Sequence, residues 1–348
     1  MLKDLFEYAA VNGKIHAMLG HRMTQQDFDQ LMQAKDVPEA AQMLGGGQAW
    51  GPSLAGADLQ QIGRVELEKL LYAGLAREYD KLAVFASKGM RGLLRALAAK
   101  VEAQQILRFL RLLSAGRPSD FSLSLPPEAM RHSRVRFEAL KAQPNYAGLL
   151  EATAGSAFWS PLAQVAPKEG RELDYLAAET AVHAAYYRAV LESAARGFQG
   201  EDRRQLEEHF LQQCDFANIT RVMRLKKHFH VAKEQLPRYL LPFGSRLKSG
   251  YLKELVQAPG WEEAMELLRQ GPYGKAFRQT GGGRIEEYAF AFGRQGRAQL
   301  RRGRPSAFDG VAYLEIKENE LNNIVNVIEC IRYQIPPEQI PSYLTPIY

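Results

Sequence analysis

An all-α fold is what this sequence predicts, and three observations carry it. An acid, an amide and an isoleucine recur three times in the same order, as Glu102-x-x-Gln105-Ile106, Asp215-x-x-Asn218-Ile219 and Glu320-x-x-Asn323-Ile324, about 105 to 115 residues apart. Each isoleucine opens an apolar stripe at helical spacing: Phe109, Leu110 and Leu113; then Val222 and Met223; then Val327, Ile328 and Ile331. Residues three, four and seven apart stack on one side of a 3.6-residue helix, so each stripe is a buried face. Period-two alternation is scarce along the chain, whereas glycine and proline clusters divide it into lengths suited to helices. A period near a hundred residues is too long for the common short solenoid repeats, so each copy should be a multi-helix module. The expected modules are residues 1–117, 118–235 and 236–348.

In chain order, a first helix is expected from about Leu2 to Leu19, interrupted by Gly13. Thr24-x-x-Asp27 has the form of a capping box, with Asp in place of the usual Glu, and should open a second helix. Pro38 sits where a helical first turn accepts proline, because the missing N–H has no partner there anyway. Gly45-Gly46-Gly47 to Pro52 reads as a break. From Leu59 to Leu113 the Leu, Ala, Arg and Glu content predicts long antiparallel helices with a turn near Ser87-Lys88-Gly89. Gly116-Arg117-Pro118-Ser119 closes the first module. The second repeats the plan, with short helices around Pro144, a long helix from Leu173 to Phe198, and the central motif between Leu206 and Phe229. In the third, Tyr251 to Val256 and Trp261 to Leu268 are short helices and Gly281-Gly282-Gly283 is a break. A helix from Ile285 to Arg302 and a last one from Gly310 to Tyr333 follow. Ile335 to Ile340 begins a short closing segment.

Composition narrows the class without choosing a partner. At 46% hydrophobic residues over 348 positions the chain can bury ordinary cores. The net charge of +6, from 45 basic and 39 acidic residues, suits nucleic acid, anionic lipid or an acidic protein equally. Cys214 and Cys330 are the only cysteines, which supports neither a disulfide framework nor a cysteine-rich metal site. The acids Asp4 and Glu7 interrupt the apolar run that a secretion signal needs, and no stretch approaches the ~20 apolar residues of a membrane span.

Catalytic constellations are not found in the sequence, and no catalytic, cofactor-binding or metal-ligating residue is assigned. Gly271-Pro272-Tyr273-Gly274-Lys275-Ala276 has neither the spacing nor the hydroxyl of a phosphate loop. His228 and His230, two apart, face different sides of a helix and have no cysteine or second pair nearby. An enzyme assembled from scattered Asp215, Asn218, Tyr186 and His183 is a formal rival. Catalytic pairs rarely occur in triplicate, so the repeated acid and amide read as groups that satisfy backbone where helices cross. Arg294, Arg297 and Arg301 follow i, i+3, i+7 spacing and make one helix face basic. That face is a solvated surface, a docking site for an acidic partner, or a nucleic-acid contact; no aromatic between Phe292 and Phe308 strengthens the last. A basic helical nucleic-acid-binding protein is therefore the alternative function.

Three tandem all-α modules with Asp-x-x-Asn-Ile heading the last helix of the middle one resemble the C subunits of the V-type (A/V-type) ATPases and ATP synthases, relatives of the eukaryotic d subunits. The best-matching segments are Gln213 to Ile219 through Lys227, and Tyr313 to Glu320 through Ile324; Tyr8 to Ile15 and Pro337 to Ile340 also fit. Glu102 and Gln105 depart from the usual Asp and Asn, and Glu329 stands where the other copies carry Arg111 and Arg224. The resemblance implies a funnel of three pseudo-equivalent modules that joins the rotor-shaft subunits of the soluble ATPase head to the membrane proteolipid ring. It implies a non-catalytic central-stalk subunit that transmits torque for proton or sodium transport. It further implies no cofactor, nucleic acid or small-molecule substrate, and a peripheral position on the cytoplasmic face of the membrane.

Overall fold

The structure is a computed structural model that describes residues 2–123, 125–131, 133–229, 231–247, 249–275 and 305–345. Helices joined by turns and irregular loops make up those residues, with no strand among them. They form two compact units: the described residues of Met1–Arg91, Ser124–His132 and Phe292–Tyr348 in one, and of Gly92–Leu123 and Ser133–Ala291 in the other.

The first unit begins with α1 (Leu2–Leu19), which runs through Gly13 without a break. A helical glycine costs only about 1 kcal/mol relative to alanine, and burial of Val11, Ile15 and Met18 outweighs that. Next come α2 (Gln25–Leu31) and α3 (Val37–Gly46). The capping box on α2 is complete: Thr24 N–H donates to Asp27 at 2.6 Å, and Asp27 N–H donates back to the Thr24 hydroxyl at 3.2 Å. Asp36 caps α3, with Pro38 in its first turn. The glycine run is helical as far as Gly46 and serves close approach more than interruption: a Cβ on Gly51 would lie 2.6 Å from the Gly45 carbonyl oxygen. There the short α4 (Gly51–Leu54) meets the end of α3.

Of the two long helices, α5 (Arg64–Phe85) and α6 (Lys88–Ser114), the turn falls where expected. Within the first unit the principal neighbours of α5 are α1, α4, the single turn α7 (Pro127–Met130) and the last helix.

The second unit contains α8 (Ala139–Ala142), α9 (Tyr146–Thr153) and α10 (Trp159–Gln164). Its two longest helices, α11 (Tyr175–Gly197) and α12 (Gly200–Arg224), pack along each other, and α12 ends in a π-helical turn, Leu225–Phe229. After a 3₁₀ turn at Leu236–Tyr239 come α13 (Ser249–Gln257) and α14 (Trp261–Gln270). The last helix, α15 (Phe308–Arg332), returns to the first unit and is followed by a 3₁₀ turn at Ile340–Tyr343.

Within the first unit, Ile324, Val327, Ile328 and Ile331 of α15 share one hydrophobic core with Leu67, Leu71 and Leu75 of α5 and with Trp50. Asn12 of α1, in one of the segments that carry the family resemblance, donates to Asp309 in the first turn of α15 at 2.7 Å. The glycine triplet at 281–283 and the expected helix at 285–302 lie outside the described residues.

Candidate functional site

The three isoleucines of the repeat are fully enclosed, at 0% exposure each, as are Phe109, Leu110, Val222, Met223, Val327 and Ile328; Leu113 is half-buried. A helix that buries such a stripe brings the adjacent acid and amide below the surface as well. Asp215, Asn218, Glu320 and Asn323 are all at or below 1% exposure. Buried polar groups at that depth need partners, because desolvation without a hydrogen bond is costly.

The central copy finds them in the main chain after α12. Asn218 Nδ2 donates to the Leu241 carbonyl at 3.1 Å, and Leu241 N–H donates to Asn218 Oδ1 at 2.7 Å. Asp215 Oδ2 accepts the N–H groups of Ser245, Arg246 and Leu247 at 3.1, 2.7 and 3.2 Å, and the Tyr273 hydroxyl at 2.6 Å. Three successive N–H groups converging on one oxygen form an anion-binding nest. Gly244 makes the approach possible, since a Cβ there would stand 2.5 Å from Asp215 Oδ1. The clasp seats Leu241 against Cys214 and Ala184, with Tyr187 and Phe243 at the edge. Burial pushes the Cys214 thiol up to about 12, so it packs as an uncharged apolar group.

The third copy repeats the amide half of this arrangement. Asn323 Nδ2 donates to the Thr345 carbonyl at 2.7 Å, and Thr345 N–H returns a bond to Oδ1 at 2.9 Å. The held segments correspond: Leu236-Pro237-Arg238-Tyr239-Leu240-Leu241 and Ile340-Pro341-Ser342-Tyr343-Leu344-Thr345, each a 3₁₀ turn whose clasped residue lies two after the tyrosine. This apolar-Pro-x-Tyr-Leu recurrence is the signal that sequence reasoning missed. The acid is held differently. Glu320 pairs with Lys317 at 2.6 Å, with both side chains at or below 5% exposure, and the Lys317 ammonium stands 4.2 Å from the centre of the Trp50 ring. The Met23 main-chain N–H and the Trp50 indole lie near this carboxylate and favour its charged form. Neither Trp50 Nε1–H nor Glu320 Oε1 completes a bond of ordinary geometry. Burial raises the Glu320 pKa, and the lysine opposes that shift.

In the first copy Glu102 accepts the Arg134 N–H at 3.2 Å. Burial raises its pKa, with the bonds from Ser133 and Arg134 acting the other way. Gln105 is buried at 7% exposure with its Oε1 unpartnered. The acids of copies one and two thus hold the chain 32 and 31 residues on, just ahead of a pair of short helices. Glu320 instead lies near Met23, just ahead of α2 and α3.

The divergent positions are accounted for locally. Glu329 pairs with Arg64 at 2.8 Å and Arg332 at 2.9 Å, whereas Arg111 donates to the Tyr175 hydroxyl at 3.1 Å. In the matching segment Arg224 to Lys227, Lys226 donates to the carbonyls of Val256, at 2.8 Å, and Ala258, where α13 ends. A cation suits the negative end of a helix dipole.

Of the scattered candidates, Asp215 and Asn218 are committed to main chain as described, and Tyr186 is buried edge-on to Tyr187 at 5.2 Å. His183 is pushed down to about 3, first by burial and then by Arg221, Lys100 and Arg111. It is neutral wherever the protein is near neutrality. Among the described residues no cluster of histidine, cysteine or carboxylate has the makings of a metal site. His230, Arg294, Arg297 and Arg301 lie outside the described residues.

Against known proteins the chain is similar over most of its length. It is 25% identical to the A-type ATP synthase C subunit of Pyrococcus horikoshii over 346 residues, 97% of this chain and 90% of the relative. It is 22% identical to the protein of the same name from Methanothermobacter thermautotrophicus, covering 80% of this chain and 69% of the relative. The Pyrococcus abyssi protein of that name is likewise 22% identical, over 96% of this chain and 89% of the relative. The ATP synthase (C/AC39) subunit family matches residues 11–343, from within α1 to the second 3₁₀ turn. With all three motif copies and the first clasped turn inside that match, the chain belongs to the ATP synthase (C/AC39) subunit family.

Proposed function

We propose that this protein is a torque-bearing adaptor: it joins the rotor shaft of an A/V-type ATP synthase to the membrane proteolipid ring, without catalysing a reaction itself. The observation that carries the reading is the family match across residues 11–343. A coupler must be stiff and must hold its partners by area, which suits close-packed helical cores and broad surfaces better than a concave chemical site. The buried stripes and the main-chain clasps are stiffening devices of that kind. No helix among the described residues is long and apolar enough to cross a membrane, so contact with the ring is made from outside the lipid. The proposed position is peripheral, on the cytoplasmic face.

The three modules, residues 1–117, 118–235 and 236–348, are proposed to be pseudo-equivalent and to form a funnel around the shaft. The matching main-chain clasps of Asn218 and Asn323 support that equivalence. We place Arg294, Arg297 and Arg301 at a docking surface for the shaft or ring. The nucleic-acid alternative draws no support from the family.

The test is co-purification with the cognate shaft subunits and detergent-solubilised ring, weighed by native mass spectrometry. One copy held between shaft and ring is the expected result, and binding to neither would remove the proposal. Charge reversal at Arg297 and Arg301 should weaken assembly at least tenfold at low salt, as loss of oriented charge pairs does. Unchanged assembly would exclude that face from the interface.

A further inference from the structure

Beyond the buried ion pair, the first unit contains a cleft of about 330 Å³ bounded by α5, α15 and the segment around α4. Its size is at the lower end of small-molecule sites. Along α5, Gly74, Arg77, Glu78 and Lys81 follow i, i+3, i+4, i+7 spacing and line one wall. Lys317 of α15 lines the opposite side, and Ser53 and Gln48 add a hydroxyl and an amide. Met18, Ala49 and Pro52 supply an apolar part of the lining.

The charges are unequally satisfied. Glu78, the lining's acid, already accepts the Tyr313 hydroxyl and pairs with Lys81 at 2.8 Å. Lys317 is almost wholly enclosed and has one hydrogen bond, to Glu320. An ammonium has three donors, so two remain. Arg77 pairs with no acid among the described residues, and its guanidinium offers a fork suited to bidentate oxyanions. Lys81 is matched by Glu78 and Lys317 by Glu320, so the excess positive charge on this concave wall is that of Arg77, and the low-dielectric walls focus its potential into the cleft.

We propose that this cleft binds a small phosphoryl-bearing anion, with Arg77 as its principal contact, Lys81 and Lys317 as flanking charges and the apolar lining receiving any organic portion. The ligand is either a free phosphorylated molecule or the headgroup of an acidic phospholipid. The same chemistry would hold both.

Inorganic pyrophosphate titrated into the full chain by calorimetry is the first probe. Saturable one-site binding is expected, at least tenfold weaker in Arg77→Gln and partly retained in Arg77→Lys, with the ligand-free unfolding midpoint unchanged. If Arg77→Gln fails to fold, Lys81→Gln, at an exposed side chain, gives the same readout with a smaller loss. Vesicles of phosphatidic acid in phosphatidylcholine distinguish the sources. Retention that Arg77→Gln weakens tenfold assigns a lipid headgroup, and soluble binding without retention assigns a free anion. No saturable binding of pyrophosphate or vesicles at millimolar phosphate overturns the site, as does binding that Arg77→Gln leaves unchanged.

Discussion

Asn218 and Asn323 each close a two-bond ring with a single main-chain residue, and no other side chain of that length offers both a donor and an acceptor. Asn218→Ala leaves the buried N–H and C=O of Leu241 unpaired, and a loss of about 2–3 kcal/mol is expected in urea unfolding; Asn323→Ala should cost less, about 1 kcal/mol, because Thr345 is only half-buried. Gln105 provides the internal contrast, since its Oε1 has no partner to lose. Gln105→Leu should be neutral or stabilising by about 1 kcal/mol; a loss as large as that of Asn218→Ala would show that an unrecognised bond is made there. His183 governs part of the acid response. Its folded pKa is depressed to about 3, so the unfolded chain takes up a proton below about 6.5 that the native state refuses. Its contribution is whole above that range and is lost as pH falls toward 3, with a slope of at most ~1.4 kcal/mol per pH unit. His183→Gln should flatten the decline of stability between pH 6.5 and 4, and an unaltered profile would place the acid sensitivity elsewhere.

At the scale of elements, the connection after α12 depends on one glycine. Gly244→Ala drives a methyl into Asp215 Oδ1, against an acid held by three N–H groups and a tyrosine. Destabilisation of about 1–3 kcal/mol is expected, with downfield-shifted amide resonances of Arg246 and Leu247 lost from the spectrum. Retained stability and shifts would mean that the loop relaxes freely. The long helices are legible in the sequence because each runs far enough to display its period, and the cap of α2 because Thr24 and Asp27 act within three residues. Neither α4 nor α10 is legible: helices of four and six residues present about one turn, too little for periodicity to register. Gly13 does not break its helix, and the break expected from Gly45 begins only at Gly47, because helix propensity is a small term beside the burial of Ile15 and Leu44. The motif residues stand out by recurrence alone. Their partners do not, since Leu241, Arg246 and Thr345 contribute main chain, and main-chain groups carry no residue signature.

For the molecule as a whole, the consequential feature is that α15 shares its core with α5 and Trp50. Tyr79 and Glu318, 239 residues apart, are joined at 2.7 Å, and Tyr313 donates to Glu78. Native-state hydrogen exchange should therefore release the amides of α5 and α15 at one common opening free energy. Separate openings for the two helices would contradict a shared core. By itself the sequence determined that the chain is helical, where its long helices run, which residues recur, and the family it resembles. Those properties are encoded locally, in spacing, caps and order. Only the tertiary structure decided that Glu320 pairs with Lys317 beneath Trp50, that Glu329 finds Arg64, that Arg77 faces a cleft without an acid of its own, and that α15 completes a core with α5 and Trp50. Such pairings depend on which distant faces close together, and the free energy that selects them is burial summed over the whole core.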